Sequence, residues 1–186
     1  HSVWPNPLQD YEQAMEMIRT KAEEWKVFSD KVAVIGFSAG GHLAAAAATM
    51  SKNRPNAAIL GYPVTGSDVK GCCATAPDTI SCVDKNTCPC FIFATRTDAV
   101  VPVMNSIRFM EALVQADISF ESHIYSYGPH GFSTCDTSVQ SGDTTISSRV
   151  PNWVSDSIGW LKEVFGDFGN GGMTKPVCKA HVTDND

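Results

Sequence analysis

Apolar positions along this chain switch between two periods, and the switches mark out alternating helices and strands. From Pro7 onward, Leu8, Tyr11, Met15, Ile18, Ala22 and Trp25 recur at spacings of three and four, which predicts one amphipathic helix to about Trp25. Lys31-Val32-Ala33-Val34-Ile35 is short, β-branched and apolar, and reads as a buried strand. A helix follows from about Gly40 to Met50. Asn53-Arg54-Pro55-Asn56 makes a turn, and Ala57 to Tyr62 is a second buried strand stopped by Pro63. Cys90 to Thr95 is a third strand. Val103 to about Ala116 is a helix with Ile107, Met110, Leu113 and Val114 on one face. Phe120 to Tyr127 is a fourth strand that alternates less cleanly. A last helix from Trp153 to Phe165 turns Trp153, Ile158, Leu161, Val164 and Phe165 inward.

Strands that alternate with helices imply βαβ units, hence an α/β fold: a mostly parallel sheet with helices on both faces. Residues 64–89 break the rhythm. They are rich in Gly, Thr and Cys and show no period, and a long excursion inside a domain is a place to look for function. Residues 133–148 are polar loop. From Gly166 the chain turns Gly-rich and then acidic, ending Asp184-Asn185-Asp186. The expected organisation is one domain over 1–168 and an extended or disordered tail over 169–186.

One junction carries chemistry. Gly36-Phe37-Ser38-Ala39-Gly40-Gly41-His42 joins the first strand to an alanine-rich helix, Leu43 to Ala48. A G-x-S-x-G turn between strand and helix is a nucleophile elbow. The turn is tight, so Gly36 and Gly40 are expected to be there because they lack a Cβ. Ser38 would then project from the turn, and the Ala39 N–H at the helix N-terminus would face the place where an oxyanion forms.

Composition narrows the partners. The net charge of −6, with Lys and Arg scattered singly, argues against a nucleic-acid surface. No apolar run approaches the roughly 18 residues of a membrane span. Seven cysteines are many for a chain of 186 residues, and five lie between Cys72 and Cys90. Cys72-Cys73 followed by Cys88-Pro89-Cys90 fits paired zinc ligands poorly, so disulfides, zinc and plain thiols all stay open for this loop. Cys90 begins an apolar strand and reads as core packing.

A serine hydroxyl needs a base within reach, and the base needs an orienting carboxylate. Asp98 follows the third strand in Thr95-Arg96-Thr97-Asp98. His130 follows the fourth in Tyr127-Gly128-Pro129-His130-Gly131, with glycines that leave room for an imidazole to turn toward Ser38. Ser, acid and His in that order, on loops leaving the C-terminal ends of parallel strands, is the hydrolase arrangement. His42 is expected to pack under the elbow and His123 to be structural. Asp136 and Asp143 are rival acids that break the order.

Pro5-Asn6-Pro7-Leu8-Gln9-Asp10, Gly36 to Ala44, Gly61-Tyr62-Pro63-Val64, Asp98 to Val103 and Gly128-Pro129-His130-Gly131 resemble the α/β-hydrolase esterases. The nearest likeness is to acetyl-esterase and acetylxylan-esterase-like enzymes, related to hormone-sensitive-lipase-type esterases, and it covers residue 3 to about 165. The resemblance implies Ser38 as nucleophile, Asp98 as orienting acid and His130 as base. It also implies a carboxylic-ester substrate with a short acyl group, small or carried on carbohydrate, and neither metal nor cofactor. The family places more strands and an H-G-G-G-type loop, with a further oxyanion donor, before the first helix seen here. Gly169-Asn170-Gly171-Gly172 lies at the other end of the chain. The chain therefore looks like the C-terminal two-thirds of a hydrolase whose sheet is completed by an N-terminal segment or a partner chain. A prolyl-oligopeptidase-like peptidase uses the same turn, and a ligand-binding protein on a hydrolase scaffold is the non-enzymatic alternative.

Overall fold

A computed structural model describes residues 4–71, 73–136 and 145–166; the predicted tail over 169–186 lies outside the described residues. Four parallel strands, β1 (Ala33–Phe37), β2 (Ala57–Gly61), β3 (Cys90–Thr95) and β4 (Phe120–Tyr125), lie in the order β1-β2-β3-β4. Five helices accompany them among the described residues: α1 (Asn6–Thr20), α2 (Ala22–Trp25), α3 (Ala39–Met50), α4 (Met104–Gln115) and α5 (Asn152–Phe165).

The period of two in β2 and β3 builds both cores. Ala57, Ile59, Phe91 and Phe93 face one side, where Trp153, Trp160 and Phe165 of α5 cover them. Ala58, Leu60, Cys90 and Ile92 face the other, against Ala44, Ala45 and Ala48 of α3 and Phe109 and Leu113 of α4. Helix α3 is alanine-rich because it is buried on two sides. Its Ala46 and Ala47 meet Leu8 of α1, so α1 forms an outer layer on α3.

Three expectations need correction. The first strand starts two residues later than predicted and is only partly buried: its burial runs exposed, half-buried, exposed, buried, half-buried, and Ile35 is 49% exposed. Helix α5 lies over β2 and β3, and β1 is paired on one side only among the described residues. The predicted first helix is two helices, interrupted at Lys21 (φ −99°, ψ 12°), and Trp25 ends up exposed. On α4 and α5, Ile107, Val114 and Ile158 face water. The buried faces instead include Asn105, Ser106 and Ser157, polar residues that escape a search for apolar periodicity; Asn105 and Ser157 are hydrogen-bonded there.

The excursion over 64–89 carries two short 3-10 turns, Ser67–Gly71 and Ile80–Cys82. Buried Asn105 tethers it: its Oδ1 accepts from the Thr65 and Gly66 N–H groups at 3.0 and 2.8 Å, and its Nδ2 donates to Asp68 Oδ2 at 2.8 Å. Cys73, Cys82, Cys88 and Cys90 carry free thiols, and Cys90 is core packing; Cys72 lies outside the described residues.

Candidate active site

The C-terminal ends of the strands converge. Register pairs Phe37 with Gly61 and Thr95 with Tyr125, so Ser38, Tyr62, Asp98 and His130 all leave the sheet at one edge. Ser38 sits between β1 and α3 with φ 54° and ψ −119°, a conformation that costs a non-glycine residue strain and is held by its surroundings. The Ser38 N–H donates to the Gly61 carbonyl at 2.9 Å, and the Ser38 carbonyl accepts from the His42 and Val64 N–H groups at 3.0 and 3.3 Å.

The glycines around Ser38 divide differently from the sequence expectation. A Cβ on Gly36 would lie 2.1 Å from the Gly40 carbonyl oxygen, and one on Gly41 would lie 2.8 Å from Pro63 Cβ. A Cβ on Gly40 would meet open space. The turn therefore needs Gly36 and Gly41, and Gly40 contributes its close-lying carbonyl.

Ser38 Oγ lies 2.8 Å from His130 Nε2, and His130 Nδ1 lies 2.6 Å from Asp98 Oδ2. Asp98 is almost entirely enclosed, with its side chain 1% exposed. Its other oxygen accepts from the Val100 and Val101 N–H groups at 2.8 and 2.9 Å, which holds the carboxylate plane. With Asp98 as acceptor, Nδ1 carries the proton and Nε2 is free to accept from the serine hydroxyl. Of the rival acids, Asp136 is exposed and accepts from Thr134 Oγ1, and Asp143 lies outside the described residues.

Two clamps hold the histidine loop. On one side, Thr95 Oγ1 and Thr97 Oγ1 donate to the Gly128 carbonyl at 2.9 and 3.1 Å, and the Gly128 N–H donates back to Thr97 Oγ1 at 2.9 Å. On the other, the Ser133 N–H donates to Tyr62 Oη at 3.2 Å, and Trp153 Nε1 donates to the Ser133 carbonyl at 2.9 Å. The flanking glycines do not give the imidazole room to turn. A Cβ on Gly128 would crowd Thr95 Cγ2 at 2.8 Å, and Gly131 is there for its left-handed φ of 75°. Sequence reasoning missed Thr95, Thr97 and Trp153, because no motif marks a hydrogen bond to a distant backbone.

Ala39 is exposed and opens α3, so its N–H is among the four that a helix leaves unpaired within itself. His42 is buried, and its Nε2 meets the Pro77 carbonyl at 2.9 Å, tying the 64–89 excursion to α3. Burial lowers its pKa, so it donates there as a neutral ring. His123 stays on β4 beside Glu121, at 2.8 Å. Cavities of about 960 and 380 Å³ lie on the α1 surface beside Lys52 and along β4 beside Arg149; none of Ser38, Asp98 or His130 lines either. Among the described residues no helix is long and apolar enough to cross a membrane, and no cluster of three or more His, Cys, Asp or Glu is placed to hold a metal.

The family described as BD-FAE matches residues 1–60. A sugar hydrolase from Lactococcus lactis superposes with a TM-score of 0.75 at 30% identity, over 83% of this chain and 67% of that one. MGS-M1, an α/β-hydrolase enzyme from a Medee basin deep-sea metagenome library, gives 0.80 at 39% identity, over 88% and 66%. The chain belongs to the esterase-like α/β-hydrolases. The chain is also 33% identical to the acetylxylan esterase of Xylanibacter ruminicola over 68% of its own length and 31% of that protein's. It spans about a quarter to a third of the length of the curated relatives it matches, 26% and 31%.

Proposed function

We propose that this α/β-hydrolase is a serine carboxylesterase that removes short acyl groups, acetyl above all, from carbohydrate esters through an acyl-enzyme on Ser38. The observation that carries the reading is the chain of contacts from Ser38 Oγ to His130 Nε2 at 2.8 Å and from His130 Nδ1 to Asp98 Oδ2 at 2.6 Å, built on a strained elbow. Similarity to an acetylxylan esterase supports acetyl as the acyl group and a sugar as the alcohol.

In this mechanism the Ser38 hydroxyl proton passes to His130 Nε2 as Oγ bonds to the ester carbonyl carbon. The carbonyl oxygen becomes an oxyanion that accepts from the Ala39 N–H, and one such donor is worth roughly 10²–10³ in kcat. The tetrahedral centre collapses, the C–O bond to the sugar breaks, and the alkoxide takes the proton from His130 Nε2. Water then attacks the acyl-enzyme while His130 takes its proton. The bond between the acyl carbon and Ser38 Oγ breaks, Oγ recovers the proton from His130, and acetic acid leaves and ionises to acetate. Asp98 holds the Nδ1–H tautomer and offsets the imidazolium charge that appears twice per cycle.

The test is acetate release from acetylated xylooligosaccharides by the full-length protein, beside p-nitrophenyl acetate and a peptide amide, for wild type and Ser38→Ala. The proposal expects turnover of both esters, loss of at least about 10⁴-fold in the variant, and no peptide cleavage. Peptide cleavage in place of ester turnover would favour the peptidase, and binding without turnover of any substrate would favour a receptor.

A further inference from the structure

We propose that the turn Gly61-Tyr62-Pro63-Val64 sets the spacing between nucleophile and base, with Tyr62 as a positioning residue for His130. The proposal rests on the serine-esterase reading above. This short segment touches both halves of the site. The Gly61 carbonyl and the Val64 N–H hydrogen-bond to the backbone of Ser38, one before and one after Tyr62. Pro63 packs where a Cβ on Gly41 would lie, at 2.8 Å, so the turn also abuts the first residues of α3.

Between those anchors Tyr62 adopts φ 36°. A left-handed backbone is costly for a bulky aromatic residue and persists only where the surroundings impose it. From this position the side chain lies against the histidine loop. The ring stands edge-on to His130, with centroids 5.0 Å apart, and edge-on to Phe132 at 4.7 Å. Its hydroxyl accepts the Ser133 N–H, three residues past the base, while Trp153 Nε1 donates to the Ser133 carbonyl. Burial, with the charge of Asp98 adding to it, pushes the Tyr62 phenol above its usual value, so the group stays a neutral hydroxyl. Tyr62 thus joins His130 to the same four residues that hold Ser38. Nothing in the mechanism uses the hydroxyl as an acid or base.

Removing that hydroxyl frees Ser133 without emptying the space under His130. A base displaced by a fraction of an ångström loses rate far more than it loses binding. The experiment compares full-length wild type with Tyr62→Phe, with Phe91→Leu as a core variant remote from the site, and with Ser38→Ala, on p-nitrophenyl acetate. The readouts are kcat, KM, the pH profile of kcat/KM and the thermal midpoint. The proposal expects Tyr62→Phe to lose about tenfold in kcat, with KM within twofold and an altered pH profile. Phe91→Leu should lower the midpoint further while kcat and profile stay those of wild type. Wild-type kcat and profile in Tyr62→Phe would overturn the proposal, as would an equal kcat loss in Phe91→Leu. Activity retained by Ser38→Ala would instead overturn the esterase mechanism itself.

Discussion

Gly36 and Gly40 face each other across the elbow so closely that a Cβ on the first would lie 2.1 Å from the carbonyl oxygen of the second. The relationship is one-sided, since a Cβ on Gly40 meets nothing within 4 Å. Gly36→Ala must push apart two backbone segments that define the Ser38 conformation, and is expected to cost about 3 kcal/mol or prevent folding. Gly40→Ala, in the first turn of α3, is expected to be neutral or to stabilise by up to about 1 kcal/mol. Chemical denaturation of the two variants checks this. Equal destabilisation by both would show that the elbow is packed differently.

His42 makes stability depend on pH. Burial depresses its folded pKa below the ordinary value of 6.5. Between the folded and unfolded values the unfolded chain binds more protons, so stability rises with pH. The His42 contribution is therefore full above about pH 6.5 and is lost as pH falls toward the folded value. Denaturation midpoints between pH 5 and 8 should fall more steeply below pH 6.5 for wild type than for His42→Gln. Parallel curves would contradict a neutral, buried His42.

Much of the architecture was legible in the pattern of the chain, and the reason is burial. Strands β2 and β3 are covered on both faces, so their sequences are near-continuous apolar runs. Strand β1 reads the same way, yet Ile35 is 49% exposed, because pattern alone does not say how far α5 reaches across the sheet. Ser38, Asp98 and His130 could be named because strand context and chain order point to them, and the fold brings all three within hydrogen-bonding distance. What holds them there was hidden. Tyr62 and Ser133 are 71 positions apart, and Thr97 and Gly128 are 31 apart. Contacts to a distant backbone leave no periodic trace. The role of Gly36 follows from the motif, but those of Gly40, Gly128 and Gly131 do not, since the residue that must lack a side chain is decided by what lies opposite it.

Thr97 should matter to rate and stability together. Its hydroxyl donates to the Gly128 carbonyl and accepts the Gly128 N–H, and Gly128 is buried. Thr97→Val keeps the shape and leaves that N–H unpaired, which costs about 1–3 kcal/mol. The Gly128 carbonyl keeps its bond from Thr95. We expect a folded but less stable variant with lower kcat and little change in KM. Unchanged stability and unchanged kcat would show that the threonine clamp is dispensable.

The proposed esterase stands or falls on acylation of Ser38 Oγ. Mass spectrometry of peptides from the full-length protein after treatment with a fluorophosphonate tests it most directly. A single stoichiometric adduct on Ser38 is expected, formed with loss of ester hydrolysis and much slowed in His130→Ala. An adduct on another residue that abolishes activity, or full ester turnover with Ser38 blocked, would contradict it.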